Sequence, residues 1–144
     1  EAEVGRVGRN EDGSAAAEEI AAPEDCLAMD RTGIDALAIG IGNAHGLYAA
    51  TPSLRYDVLE ALNGRMRAAP VLHGGSGLTD EQFHRLVGLG MRKINIATDI
   101  FRAQARACSG ADLFRNISAS VQAVSEVVTR YIKLFESDGK ADAI

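Results

Sequence analysis

The chain has 144 residues, 47% of them apolar, and a formal charge of −5 at pH 7. That length suits one domain over residues 1–144, and the apolar share excludes a chain disordered throughout. The acidic balance argues against nucleic-acid or membrane-surface partners, which need a clustered basic face.

Arg65, Arg67, Arg92, Lys93 and Arg130 are scattered among acids and read as solvated surface. No apolar run approaches the roughly 20 residues that span a bilayer. The chain opens Glu-Ala-Glu, with neither a basic start nor an apolar segment behind it, so no signal peptide and a cytoplasmic location are expected. The missing initiator methionine points to a natural start elsewhere. Cys26 and Cys108 lie in no paired motif and read as reduced, partly buried thiols.

Short apolar runs alternate with amphipathic stretches. Glu1–Gly5 reads as the end of a strand, and Arg6–Ala17, rich in Gly, Asn, Asp and Ser, as a long mobile loop. Pro23–Asp30 suits a short helix with proline in its first turn. Asp35–Gly42 is an apolar run suited to a strand covered on both faces. The loop with His45 and Tyr48 follows, and then a helix over Ser53–Ala68, with Leu54, Val58, Leu59, Leu62 and Met66 at helical spacing. Pro70–His73 is the next strand and Gly74–Gly77 the next turn.

Thr79-Asp-Glu-Gln82 matches a capping box, opening a helix to about Gly90 with Phe83, Leu86, Val87 and Leu89 inward. Lys93–Thr98 reads as a further strand, Asp99–Ala107 as helix, and Ala111–Phe135 as mostly one long helix. Strand and helix in alternation mean βα units and a parallel sheet. Four strand ends, after Glu3, Gly42, His73 and Asn95, are half of the eight that a closed (β/α)8 barrel needs. The expected fold is α/β: the C-terminal half-barrel of the TIM (β/α)8 type, about four βα units, plus a long C-terminal helix.

Two of those ends carry a histidine followed at once by glycine, His45-Gly46 and His73-Gly74. Ligands of parallel sheets gather at the C-terminal ends of strands, so both imidazoles are placed to meet over one metal ion. Glu3, at the preceding strand end, is a candidate third or accessory ligand. Either histidine alone reads more plainly as a partner for a backbone carbonyl; the repeated pattern favours the metal. His84, mid-helix, reads as surface or boundary.

The turn Gly74-Gly75-Ser76-Gly77 leads into a helix and suits an anion, as does Asn95–Thr98 on the next strand. A plain tight turn explains one such segment as well; two on consecutive strands favour phosphate. Glu11 and Asp12 read, by composition, as solvated loop charges.

With these residues assembled, the chain resembles the class II (metal-dependent) ketose-bisphosphate aldolases. The matching segments, in order, are Glu1-Ala-Glu-Val-Gly5, Gly42-Asn-Ala-His-Gly-Leu-Tyr48, Leu72-His-Gly-Gly-Ser-Gly77 and Lys93-Ile-Asn-Ile-Ala-Thr98. The resemblance implies Zn²⁺ on His45 and His73 with Glu3 at or beside the metal, and admits a second, monovalent or divalent cation. It implies a dihydroxyacetone phosphate moiety held by Gly46, Gly74, Gly75, Ser76, Asn95, Ile96, Ala97 and Thr98. Asn95 would touch the reacting end, and Glu11 would exchange the ketose proton.

The implied activity is reversible aldol cleavage of fructose 1,6-bisphosphate to dihydroxyacetone phosphate and glyceraldehyde 3-phosphate, by a homo-oligomer, dimer or larger, in the full-length form. The sequence departs from the family in one respect. Its histidines are His45, His73 and His84, with no Asp-His dipeptide, so the family's third zinc histidine and the neighbouring aspartate have no counterpart here. Alternatives are tagatose bisphosphate as substrate, a phosphosugar epimerase on the same barrel, and a truncated, inactive phosphate-binding or association-prone fragment.

Overall fold

Each apolar run preceding a strand end forms a strand of one parallel sheet. A computed structural model describes residues 1–9 and 19–140; Glu11 and Asp12 therefore lie outside the described residues. Residues Glu1–Ile96 form one compact unit and Ala97–Ile144 a second.

The first unit holds β1 (Ala2–Val4), β2 (Gly8–Arg9), α1 (Pro23–Asp30), β3 (Ala36–Ile39), β4 (Ala44–His45), α2 (Tyr56–Leu62), β5 (Ala69–Leu72), α3 (Asp80–Gly88) and β6 (Lys93–Ile94). The main sheet runs β1-β3-β5-β6, all parallel. Register places Glu3 beside Ala38, Ala38 beside Val71 and Leu72 beside Ile94. Within this sheet spatial order follows chain order, as successive βα units require, while β2 and β4 form a separate two-stranded sheet.

Leu37, Ile39, Val71 and Leu72 from the sheet and Phe83 and Leu86 from α3 are fully buried. Each such side chain contributes about 1.5–3 kcal/mol by leaving water. Asp30, the last residue of α1, accepts hydrogen bonds from the amides of Arg67 and Ala68 at 3.1 and 2.7 Å, pinning the entry to β5. Those two bonds, Ala68 foremost, hold its carboxyl below the ordinary value.

Several elements are shorter than the sequence suggests, two of them for a local reason. The strand expected over Asp35–Gly42 ends at Ile39 because the Ile41 amide donates to Asn43 Oδ1 at 2.9 Å instead of to the ladder. The helix expected over Ser53–Ala68 stops at Leu62, since Gly64 turns into left-handed backbone at φ 70° and Asp30 captures the following amides. The strand expected over Lys93–Thr98 covers only Lys93–Ile94. Within the expected loop from Arg6, Gly8–Arg9 pairs in parallel with Ala44–His45, and Arg6 bridges Glu19. The capping box stands: Gln82 N donates to Thr79 Oγ1 and Thr79 N to Gln82 Oε1.

The second unit pairs α4 (Thr98–Ala107) with α5 (Leu113–Leu134). Asp112 caps α5 by accepting from Arg115 N at 3.0 Å, and the Tyr131 hydroxyl donates to Asp99. Burial and the Asp99 charge push the Tyr131 phenol up. Asn116 ties the connecting turn, accepting from Ser109 N and donating to Gly110 O.

Candidate active site

His45 and His73 stand together at the C-terminal ends of β4 and β5, their ring centroids 5.9 Å apart and their planes 42° to each other. Two polar side chains, Asn43 buried and Tyr48 half-buried, join the segments that carry them. Asn43, wholly buried, accepts from Ile41 N and donates through Nδ2 to the His73 carbonyl at 2.7 Å. The Tyr48 hydroxyl accepts from Ala44 N and donates to the Gly74 carbonyl, both at 2.9 Å. The loop that carries His45 is thus bolted to the turn that carries His73.

Glycine is required where these segments touch. Gly74 has φ 63°, and a Cβ there would lie 2.1 Å from the Ala44 carbonyl oxygen, closer than any atom pair tolerates. A Cβ on Gly75 would meet Ile94 and Ile96 at 2.8 and 2.9 Å. Gly75 N donates to Asn95 O at 3.0 Å, so its amide is committed to β6 and its role is to leave room. Gly46 and Ser76 are buried beside these segments.

The carboxylates gather on His73. Glu3 Oε2 lies 2.9 Å from Nδ1 and Glu1 Oε1 2.9 Å from Nε2. Lys93 Nζ reaches the other Glu1 oxygen at 2.6 Å. Lys93 is exposed, as expected of a surface residue, yet its ammonium is engaged by Glu1 beside His73. Its hydrogen bond, then that of His73, holds the Glu1 carboxyl below the ordinary value. Side chains two apart on a strand share a face, so Glu1-x-Glu3 carried a signal for this pair in the sequence. Lys93 and Asn43 had no comparable local signal.

Of the expected site residues, the first unit brings together Glu3, His45, His73, Gly74, Gly75 and Asn95, with Ile96 packed beside Gly75. Ala97 and Thr98 belong to the second unit, where Ala97 precedes α4 and Thr98 is its first residue. Glu11 lies outside the described residues. His84 is exposed, as its mid-helix position suggests.

Two imidazoles at this separation, one flanked by the carboxylates of Glu1 and Glu3, supply donors suited to a borderline-soft divalent ion. They fit part of a metal shell. Among the described residues no group of three His, Cys, Asp or Glu is gathered closely enough to complete it, whereas a catalytic zinc takes three protein ligands.

The chain is similar to known aldolases. The family model for class-II fructose-bisphosphate aldolase matches residues 1–140, so the chain belongs to that family. The fructose-bisphosphate aldolase of Streptococcus pneumoniae serotype 4 is 39% identical over 160 aligned positions, covering 98% of this chain and 55% of its own length. That of Ureaplasma parvum is 44% identical over 100 residues, covering 69% of this chain and 34% of its own.

The crystal structure of the YdjI aldolase from Escherichia coli K12 superposes with a TM-score of 0.76 at 35% identity, over 85% of this chain and 48% of that one. An aldolase-family structure from Coccidioides immitis superposes with a TM-score of 0.85 at 26% identity, over 99% of this chain and 53% of that one. The α/β fold with a parallel sheet is therefore the fold of these aldolases, and the chain spans about half the length of the relatives it matches.

Proposed function

We propose that the chain supplies one half of a zinc-dependent class II aldolase that reversibly cleaves fructose 1,6-bisphosphate to dihydroxyacetone phosphate and glyceraldehyde 3-phosphate. The observation that carries this reading is the approach of His45 to His73 at two strand ends, with Glu3 on the second ring. His45 and His73 would hold zinc, with Glu3 at or beside it. Bound there, zinc supplies a Lewis acid for the ketose carbonyl.

The chain's own residues do the rest. The turn Gly74–Ser76 receives the ketose phosphate, aided by Ile96, Ala97 and Thr98, and Gly46 leaves space for the ketose. Asn95 offers its carboxamide to the reacting end, and Glu11 exchanges the ketose proton as general base. On this reading the protein works in the cytoplasm as a homo-oligomer, dimer or larger. Among the described residues no helix is long and apolar enough to cross a membrane.

The test joins this chain to the amino-terminal half of the S. pneumoniae relative and follows aldol cleavage. Cleavage of fructose 1,6-bisphosphate that disappears with a strong chelator and returns with zinc supports the reading. Activity that survives chelation, or the His45→Ala change, sinks it. Tagatose bisphosphate, run in parallel, decides between the two ketoses. An inactive, association-prone fragment is the second reading, favoured by the exposed apolar side chains of α5. A monodisperse monomer in light scattering counts against it.

A further inference from the structure

The strand end that carries His45 and the turn that follows His73 share no backbone ladder: β4 pairs with β2, and β5 with β3 and β6. They nevertheless touch so closely that only glycine fits at position 74. Where two backbones meet without a ladder, side chains or water must satisfy the polar groups they bury. Asn43 serves the His73 carbonyl, and Tyr48 serves the next one.

The contacts of Tyr48 reach both ends of the turn. Its hydroxyl donates to the Gly74 carbonyl and accepts from the Ala44 amide, so one oxygen joins the turn to the residue before His45. Its ring lies by the far end, where a Cβ on Gly77 would stand 3.4 Å from Cδ2. The Gly74 carbonyl and the Gly75 amide belong to one trans peptide, and so point in opposite directions. Tyr48 holds the carbonyl, and Asn95 O holds the amide at 3.0 Å. That peptide plane is gripped from both sides and cannot rotate without breaking a hydrogen bond. Leu78 N closes the turn on Gly75 O at 3.3 Å, so the setting of the plane passes to Ser76 and Gly77 between them.

We infer that Tyr48 is a positioning residue for the phosphate turn: its hydroxyl sets the peptide plane between Gly74 and Gly75, and thereby the shape in which Gly74–Gly77 meets an anion. Glycines make such a segment pliable, and a pliable segment must be ordered at the ligand's expense. A tyrosine from a different strand end removes that freedom beforehand. The use of the shape rests on the phosphate reading above; the setting of the plane can be measured without any ligand.

Tyr48→Phe keeps the ring and removes the oxygen. Amide-resolved NMR of the metal-free chain then records hydrogen exchange, and a titration with inorganic phosphate followed at the Ser76 and Gly77 amides. In the variant the Ala44 and Gly75 amides are expected to exchange about tenfold faster, the factor for one lost hydrogen bond. The Asn95 amide, which donates to Leu72 O, should keep its rate. Phosphate affinity should fall by about tenfold as well, since the ligand must now order the turn. Leu62→Val, a change to a buried residue at the end of α2, should lower global stability and leave phosphate affinity unaltered. A merely structural role for Tyr48 would make the two variants alike.

Unchanged exchange at Ala44 and Gly75 overturns the inference, and so does faster exchange with unchanged phosphate affinity. The two readings fail in different ways. If phosphate moves neither Ser76 nor Gly77 in the unaltered chain, the phosphate reading falls and the role of Tyr48 in it falls too. If phosphate binds the unaltered chain and Tyr48→Phe alike, only the positioning inference falls.

Discussion

The two units of this chain bury their apolar residues in opposite ways. Among the described residues, every buried apolar side chain except that of Tyr131 belongs to the first unit. Every large hydrophobic residue that stays exposed, except Leu47, belongs to the second: Phe101, Leu113, Phe114, Ile117, Val121, Val128 and Ile132. In the first unit the sheet specifies its own core, because each strand's apolar run has a helix or a neighbouring strand to meet. In the second, a 22-residue helix keeps an apolar stripe that α4 does not cover. Amphipathic periodicity thus signals a helix with equal strength in both places, while saying nothing about what the apolar face meets.

The sharpest way to break this contrast is a matched pair of substitutions. Phe83→Ala removes a fully buried ring from α3 and should cost about 3–5 kcal/mol in urea unfolding. Phe114→Ser, at a side chain 82% exposed, should change stability by no more than about 0.5 kcal/mol. Equal losses would mean that α5 is covered in solution and the contrast is false.

Asn43→Ala comes next. It strands the Ile41 amide and the His73 carbonyl, and should cost about 1–3 kcal/mol in the same assay. Because Asn43 braces the turn behind His73, affinity for Co²⁺, followed by its visible absorption, should fall with it. Thr79→Ala removes half of the capping box on α3 and should cost about 1 kcal/mol, with no change in Co²⁺ affinity.

The smallest effect separates the two thiols. Burial, with the Asp25 charge second, pushes the Cys26 thiol up to about 11. Near neutral pH a disulfide reagent should therefore modify exposed Cys108 alone, and Cys26 only after denaturation. The folded thiol titrates above the unfolded one, so whatever stability Cys26 contributes is complete below pH 9 and declines as pH rises toward 11. Rapid native labelling of Cys26 would show that the first unit opens more readily than its core suggests.

Local features were the legible ones. Helix α1 has the bounds that its proline and its following Thr-Gly imply, and the capping box on α3 is made by the residues that the pattern names. The parallel order of the main sheet followed from counting alternating runs. Contacts between distant segments were not legible. The pairing of Gly8–Arg9 with Ala44–His45 involves two residues a side, too short for a periodic signature. Lys93 read as one more solvated charge because its partner stands at the other end of the unit. Tyr48 showed nothing by spacing, since its hydroxyl works on the Ala44 amide and the Gly74 carbonyl, groups every residue possesses. At the candidate site, His45 and His73 were legible as histidines beside glycine at strand ends and Glu3 as a carboxylate at the preceding strand end; what holds them was not.

Gln82 carries one further consequence. The capping pattern accepts glutamate or glutamine at its last position as synonyms, since either offers an oxygen to the Thr79 amide. In this fold the synonyms part. The Gln82 amide nitrogen also donates to the Pro52 carbonyl at 2.9 Å, fastening the start of α3 to the segment that follows His45. A glutamate would spell the same cap and drop that fastening, so a choice that is silent in the local code is spoken by the tertiary one.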